Sequence, residues 1–151
     1  MRYTGAWTEV EAPPASLGRV ARGRAGDRVS FVFAGTALDL VVRRGPDVAR
    51  LAVLVDGTPT RATELPVEGR VAVLDAAAPA EAWQVRVPVA RHLPPGRHEV
   101  LLEVRGAGAL DLDGVVAAGP LSATSGGHAW LLGGAFALAA AAGAWLSRPM
   151  R

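Results

Sequence analysis

Three groups of residues have the types and spacing for chemistry. Arg43-Arg44-Gly45-Pro46-Asp47 sets two guanidinium groups beside a carboxylate. Their planar forks suit a sugar or an acidic polymer; the competing expectation is a solvated turn in which Asp47 pairs with one Arg for little net energy. Trp83, just ahead of a long apolar hairpin, is the candidate for an exposed ring, with core packing as the alternative. Asp111 and Asp113 stand two apart on a strand and so face one side, a start for calcium with loop carbonyls, but no third carboxylate is in view and no metal site is assigned. His92 and His98 flank a Pro-Pro-Gly turn and His128 stands apart. Without HExxH, paired His ligands, a nucleophile elbow or a Gly-rich phosphate loop, no residue is assigned to catalysis and no cofactor is expected. The chain has no Cys, which removes disulfides, thiolate metal sites and a thiol nucleophile.

These residues need a scaffold, and the apolar pattern before residue 119 has a period of two. Val29, Phe31 and Phe33 fall on one face of an extended chain, as do Leu38, Leu40 and Val42, then Leu51, Val53 and Val55. The series continues with Val85, Val87 and Val89, with Val100, Leu102 and Val104, and with Leu110, Leu112 and Val115 or Val116. Asp56-Gly57 is a tight turn of the hairpin type, and Arg43 to Asp47 reads as a loop. Pro88 cannot donate to a ladder, so its strand belongs at an edge or a bulge. Short alternating runs with turn punctuation predict an antiparallel, jelly-roll-like β-sandwich, with Trp7, Phe31 and Phe33 in its core and Tyr3 packed at an edge.

The texture changes after Gly114, where charge disappears until Arg148. Ala129 to Leu146 is an unbroken apolar run. At ~1.5 Å per residue it spans about 27 Å, close to the ~30 Å hydrocarbon core of a bilayer. Trp130 and Trp145 stand at its two ends, where indole favours the interface. The expectation is a single C-terminal transmembrane helix over 128–147, following a β-sandwich over 1–118 and a Gly/Ser linker over 119–127, with a basic tail at 148–151. Gly134, Ala135, Ala139 and Gly143 give the helix a small-residue face for a membrane-protein partner or a homodimer, although an Ala-rich chain fills any helix this way. Residues 1–127 carry 14 Arg and 14 acids, so the +2 net charge is Arg148 and Arg151. The basic pI therefore describes a tail beside the lipid bilayer, with the C-terminus cytoplasmic and the sandwich extracytoplasmic, and no nucleic-acid partner is expected. The first twenty residues hold no apolar run of an export signal, which conflicts with that orientation and leaves a cytoplasmic, tail-anchored domain as the alternative. A sorting tail cleaved near Gly126-Gly127 is a further alternative.

Several motifs recur in order: Tyr3-x-Gly5-x-Trp7, Phe33-x-Gly35-Thr36, Val55-Asp56-Gly57, Leu93-x-Pro95-Gly96-x-His98, and a last strand carrying Asp111 or Asp113. In this order the chain resembles the galactose-binding-like β-sandwich modules found beside carbohydrate-active and cell-envelope proteins. The resemblance covers about residues 3 to 118 and implies a jelly-roll-like fold that binds glycans or acts as a spacer. Such modules present aromatic platforms and amides to sugars, whereas this domain has few aromatics, no Asn, and Gln84 as its one side-chain amide.

The reading that follows is a non-enzymatic, membrane-anchored accessory subunit of a larger membrane or envelope assembly, its sandwich used for protein docking. The alternative is a surface-displayed carbohydrate-binding module, with Trp83, Arg43, Arg44 and Asp47 as the residues meeting a glycan.

Overall fold

The computed structural model describes residues 1–62 and 64–119. The expected transmembrane helix, its packing face and its interface residues Trp130, Trp145, Arg148 and Arg151 lie outside the described residues. Among the described residues no helix is long and apolar enough to cross a membrane.

Eleven strands are present among them: β1 (Arg2–Thr4), β2 (Thr8–Glu11), β3 (Arg19–Arg24), β4 (Arg28–Gly35), β5 (Ala37–Arg44), β6 (Arg50–Val55), β7 (Val67–Glu68), β8 (Val71–Asp75), β9 (Ala82–Ala90), β10 (Gly96–Arg105) and β11 (Ala109–Ala118). They form a six-stranded sheet, β1-β4-β10-β6-β8-β7, and a five-stranded sheet, β2-β3-β11-β5-β9, and every strand pair is antiparallel. The period-two pattern predicts this outcome because each strand buries one face against the opposite sheet. Val29, Phe31, Phe33, Leu51, Val53, Val55, Val100, Leu102 and Val104 from the first sheet meet Leu38, Leu40, Val42, Leu110, Leu112 and Val115 from the second in one core. Each of the fully buried Leu side chains, such as Leu38 and Leu102, contributes about 2 kcal/mol through burial alone. Trp7 closes this core at the β2 edge, its ring where a Cβ on Gly23 would stand and its Nε1–H donating to the Arg28 carbonyl at 2.9 Å.

Three local expectations change. Arg43 and Arg44 end strand β5 instead of opening a loop. Asp56 (φ 51) and Gly57 (φ 73) do form a tight turn, but Val55 pairs there only with Thr58, and the strand that continues beside β6 is β8. In β9, Gln84 (φ 54) belongs to a bulge, so that Trp83 and Gln84 together oppose Arg43 between the Val42–Val85 and Arg44–Ala82 pairs. Pro88 meets its expectation twice, since β9 is an edge strand and a second register shift falls beside it.

Candidate functional site

Alternation sends Leu38, Leu40 and Val42 inward, so Asp39, Val41 and Arg43 of β5 point out from the five-stranded sheet. Asp111 of β11 and Arg22 of β3 face the same way, and the Gln84 bulge turns Trp83 of β9 to join them. A strap over residues 12–18 lies on this outer face. Its Ala12 and Ala15 bury Val20 together with Val10 and Trp83, Ser16 donates its N–H and Oγ–H to Asp113, and Gln84 Nε2 donates to the Pro14 carbonyl at 2.6 Å.

At the centre is Asp111, with no solvent exposure. Its Oδ1 accepts from Arg22 Nε at 2.6 Å and its Oδ2 from Arg43 Nε at 2.7 Å. Arg43, 7% exposed, extends onward through Nη1 to Asp47 at 3.0 Å and Glu81 at 3.1 Å. The Arg43 guanidinium carbon stands 5.7 Å from the Trp83 ring centroid, a cation–π distance, and the Trp83 Nε1–H donates to Glu81 at 2.7 Å. The hydrogen bond from Arg43 holds the Asp47 carboxyl below the usual range. Asp47 is 71% exposed and Glu81 55%. The cluster therefore offers water its carboxylates, with the cation buried beneath them.

This geometry shows how the residues of the expected site are held. Asp47 does pair with an Arg, but that Arg is buried and shared with Asp111 and Glu81, so its fork is not free for an acidic ligand. Arg44 is half-buried and caps the neighbouring loop, donating to the carbonyls of Asp75 and Ala77. Trp83 is half-buried against the strap and Arg43, so it serves as a wall of the cluster instead of an open platform. Calcium gains no pair of carboxylates, since two guanidiniums neutralise Asp111 and the strap holds Asp113. Arg22, Asp111 and Glu81 complete the cluster without having been assigned to it. The signal for Asp111 and Arg22 was a charge on alternate positions of a strand whose other face is apolar; Glu81 gave none beyond standing two residues before Trp83. On the same face, nearer the far end of β5, Asp39 is buried between Arg86 and Arg91.

The cluster has a defined position. β5 runs from Ala37, paired with Ala118, up to Arg44. Along its eight residues, at ~3.3 Å each, Arg43 and Asp47 lie roughly 20 Å from the point where the chain leaves at Gly119.

No protein-family model matches the chain, and no curated protein matches it. Solved structures do. A two-domain esterase active on acetylated mannans, co-crystallised with mannopentaose, aligns with a TM-score of 0.53 at 15% identity over 68% of this chain and 28% of that one. An exo-β-1,3-galactanase from Phanerochaete chrysosporium, with galactose, aligns with a TM-score of 0.50 at 19% identity over 76% of this chain and 26% of that one. The chain thus spans between a quarter and a third of the length of each. At this identity the likeness establishes the β-sandwich fold.

Proposed function

We propose that residues 1–118 are a non-catalytic glycan-binding module, tethered to a membrane by the apolar run that follows. The observation that carries the reading is the shared sandwich architecture with an esterase acting on mannans and a galactanase. Asp47 and Glu81, held from beneath by Arg43 and walled by Trp83, are the proposed contact surface, and their chemistry selects the ligand. Asp47 and Glu81 present acceptors to hydroxyl donors, while every guanidinium in contact with them is already paired. A neutral polysaccharide satisfies those acceptors; a uronate or phosphate polymer meets like charge.

The test is retention of the full chain on immobilised neutral mannan and galactan against polygalacturonate. Retention on a neutral polymer is expected, weakened roughly tenfold or more by Glu81→Gln or Asp47→Asn, as for loss of a hydrogen bond to a charged group. Loss of all glycan retention, with a membrane protein copurifying stoichiometrically in mild detergent, would establish the docking reading instead. That second reading has one observation in its favour: Val32 (46% exposed) and Leu101 (37% exposed) lie with half-buried Leu54 on the outer face of the six-stranded sheet.

A further inference from the structure

His98 is 5% exposed and sits at the end of the sandwich from which the chain leaves, with its ring centroid 5.4 Å from that of Phe33. Both ring nitrogens have partners: Nδ1 is 2.8 Å from Asp56 Oδ2, and Nε2 is 2.8 Å from the Pro94 carbonyl oxygen. A carbonyl oxygen only accepts, and so does an ionised carboxylate. Burial pushes the Asp56 carboxyl up, but the hydrogen bonds from His98 and from the Glu99 N–H outweigh it, and the net displacement is below the usual range. Asp56 is therefore an anion over most of the pH scale. Meeting both contacts then requires hydrogen on both ring nitrogens, which only imidazolium supplies.

The two partners belong to different segments. Asp56 is in the turn after β6, fixed to β10 by its N–H to the Glu99 carbonyl at 2.8 Å and by the Glu99 N–H to its Oδ1 at 3.0 Å. Pro94 is in the β9–β10 connection, which is also pinned by the Leu93 N–H to the Thr36 carbonyl at 2.9 Å and by Arg91, which donates to the Leu38 carbonyl at 3.1 Å and pairs with Asp39. The charged groups facing His98 are Asp56 and, behind it, Arg61, whose Nε is 3.5 Å from Asp56 Oδ2; β4 contributes the uncharged Phe33 ring.

We propose that His98 is a proton-operated latch that fastens the 91–95 connection to the 55–58 turn. Imidazole ordinarily changes charge between about pH 5 and 8. When the proton leaves, the Asp56 charge retains the remaining N–H on Nδ1, so Nε2 turns a lone pair on the Pro94 oxygen and that fastening fails. On the acid side the sign is opposite. A carboxyl displaced downward contributes stability above its unfolded value, and this is lost as pH falls through its folded value. The latch is complete where the Asp56 carboxyl is ionised and both His98 ring nitrogens carry hydrogen.

The test uses the full chain with 15N-labelled histidine, the His98 ring resonances being assigned with the His98→Gln variant. At about pH 5.5 both His98 ring nitrogens should carry hydrogen, and at about pH 8 only Nδ1. Exchange protection of the Leu93 amide, corrected for intrinsic pH dependence, should fall roughly fivefold over that interval, the equivalent of one net hydrogen bond. The Val104 amide, at the other end of β10, should not change. In His98→Gln the Leu93 protection should lose its pH dependence. A His98 ring singly protonated at both pH values would overturn the proposal, and so would Leu93 protection indifferent to pH in the parent chain, which does not need the variant to fold.

Discussion

Asp111 is fully buried with two guanidinium groups against it, so among the described residues its charge is compensated by Arg22 and Arg43. Asp111→Asn keeps the shape and removes the charge, leaving Arg43, itself buried, with the more exposed Asp47 and Glu81 alone. Breaking a buried pair from one side costs about 3–5 kcal/mol. The lower end, about 3 kcal/mol, is expected because Arg43 keeps two partners and Arg22 reaches solvent. Urea unfolding followed by tryptophan fluorescence measures it, with a lowered midpoint at unchanged slope; a midpoint equal to the parent's would show the pairs to be solvated. This residue was legible in part. Asp111 on an alternating strand pointed to an outward carboxylate, and the Arg at 22 and 43 were visible. What the sequence could not state is which strands are neighbours, and β3, β11 and β5 become adjacent only through pairings about 70 to 90 residues apart in the chain.

At the level of elements, alternation predicted the inward face of β4, β5, β6, β10 and β11, because a one-residue slip would send every apolar side chain to water. It failed where the period breaks. Trp83 and Val85 are two apart and would share a face, but the Gln84 bulge reverses that and aims Trp83 at Arg43. A bulge depends on the backbone conformation of one residue and leaves little trace in a single sequence. The loop holding Asp47 depends on a comparable local fact. Gly108 has φ +93, and a Cβ there would stand 2.2 Å from the Asp47 carbonyl oxygen. Gly108→Ala must therefore strain the backbone and push the Asp47 segment away from Ala109. A cost of about 1–3 kcal/mol is expected for the dihedral alone, with the clash added. The change should also lower glycan retention through displacement of Asp47, whereas Gly26→Ala, where a Cβ meets nothing, carries only the dihedral cost and leaves retention intact. Thermal unfolding of the two variants beside their retention separates the effects; equal retention would show that the Asp47 position does not matter.

For the whole molecule, the two ends of the sandwich carry different groups. The carboxylate cluster occupies one end, and Gly119, packed against Thr36, leads the chain out at the other. If residues 128–147 enter a bilayer, the short span 119–127 keeps the exit end near the headgroups, and the strand length carries the cluster away from them. This arrangement suits a module that meets polymer beyond the membrane. Charge agrees, since residues 1–127 balance at 14 Arg and 14 acids and add no attraction to anionic lipid. Membrane association should then come from the apolar run alone and resist salt. The full chain is expected to stay with the membrane pellet after alkaline carbonate and after high salt, while a chain ending at Gly119 stays in the supernatant at low salt. Fractionation with immunoblotting reads both. Release of the full chain by carbonate would show the run not to be inserted. Release by salt would place the attachment on surface charge, and Arg148 and Arg151 would then act as its contact instead of marking the side on which the helix ends.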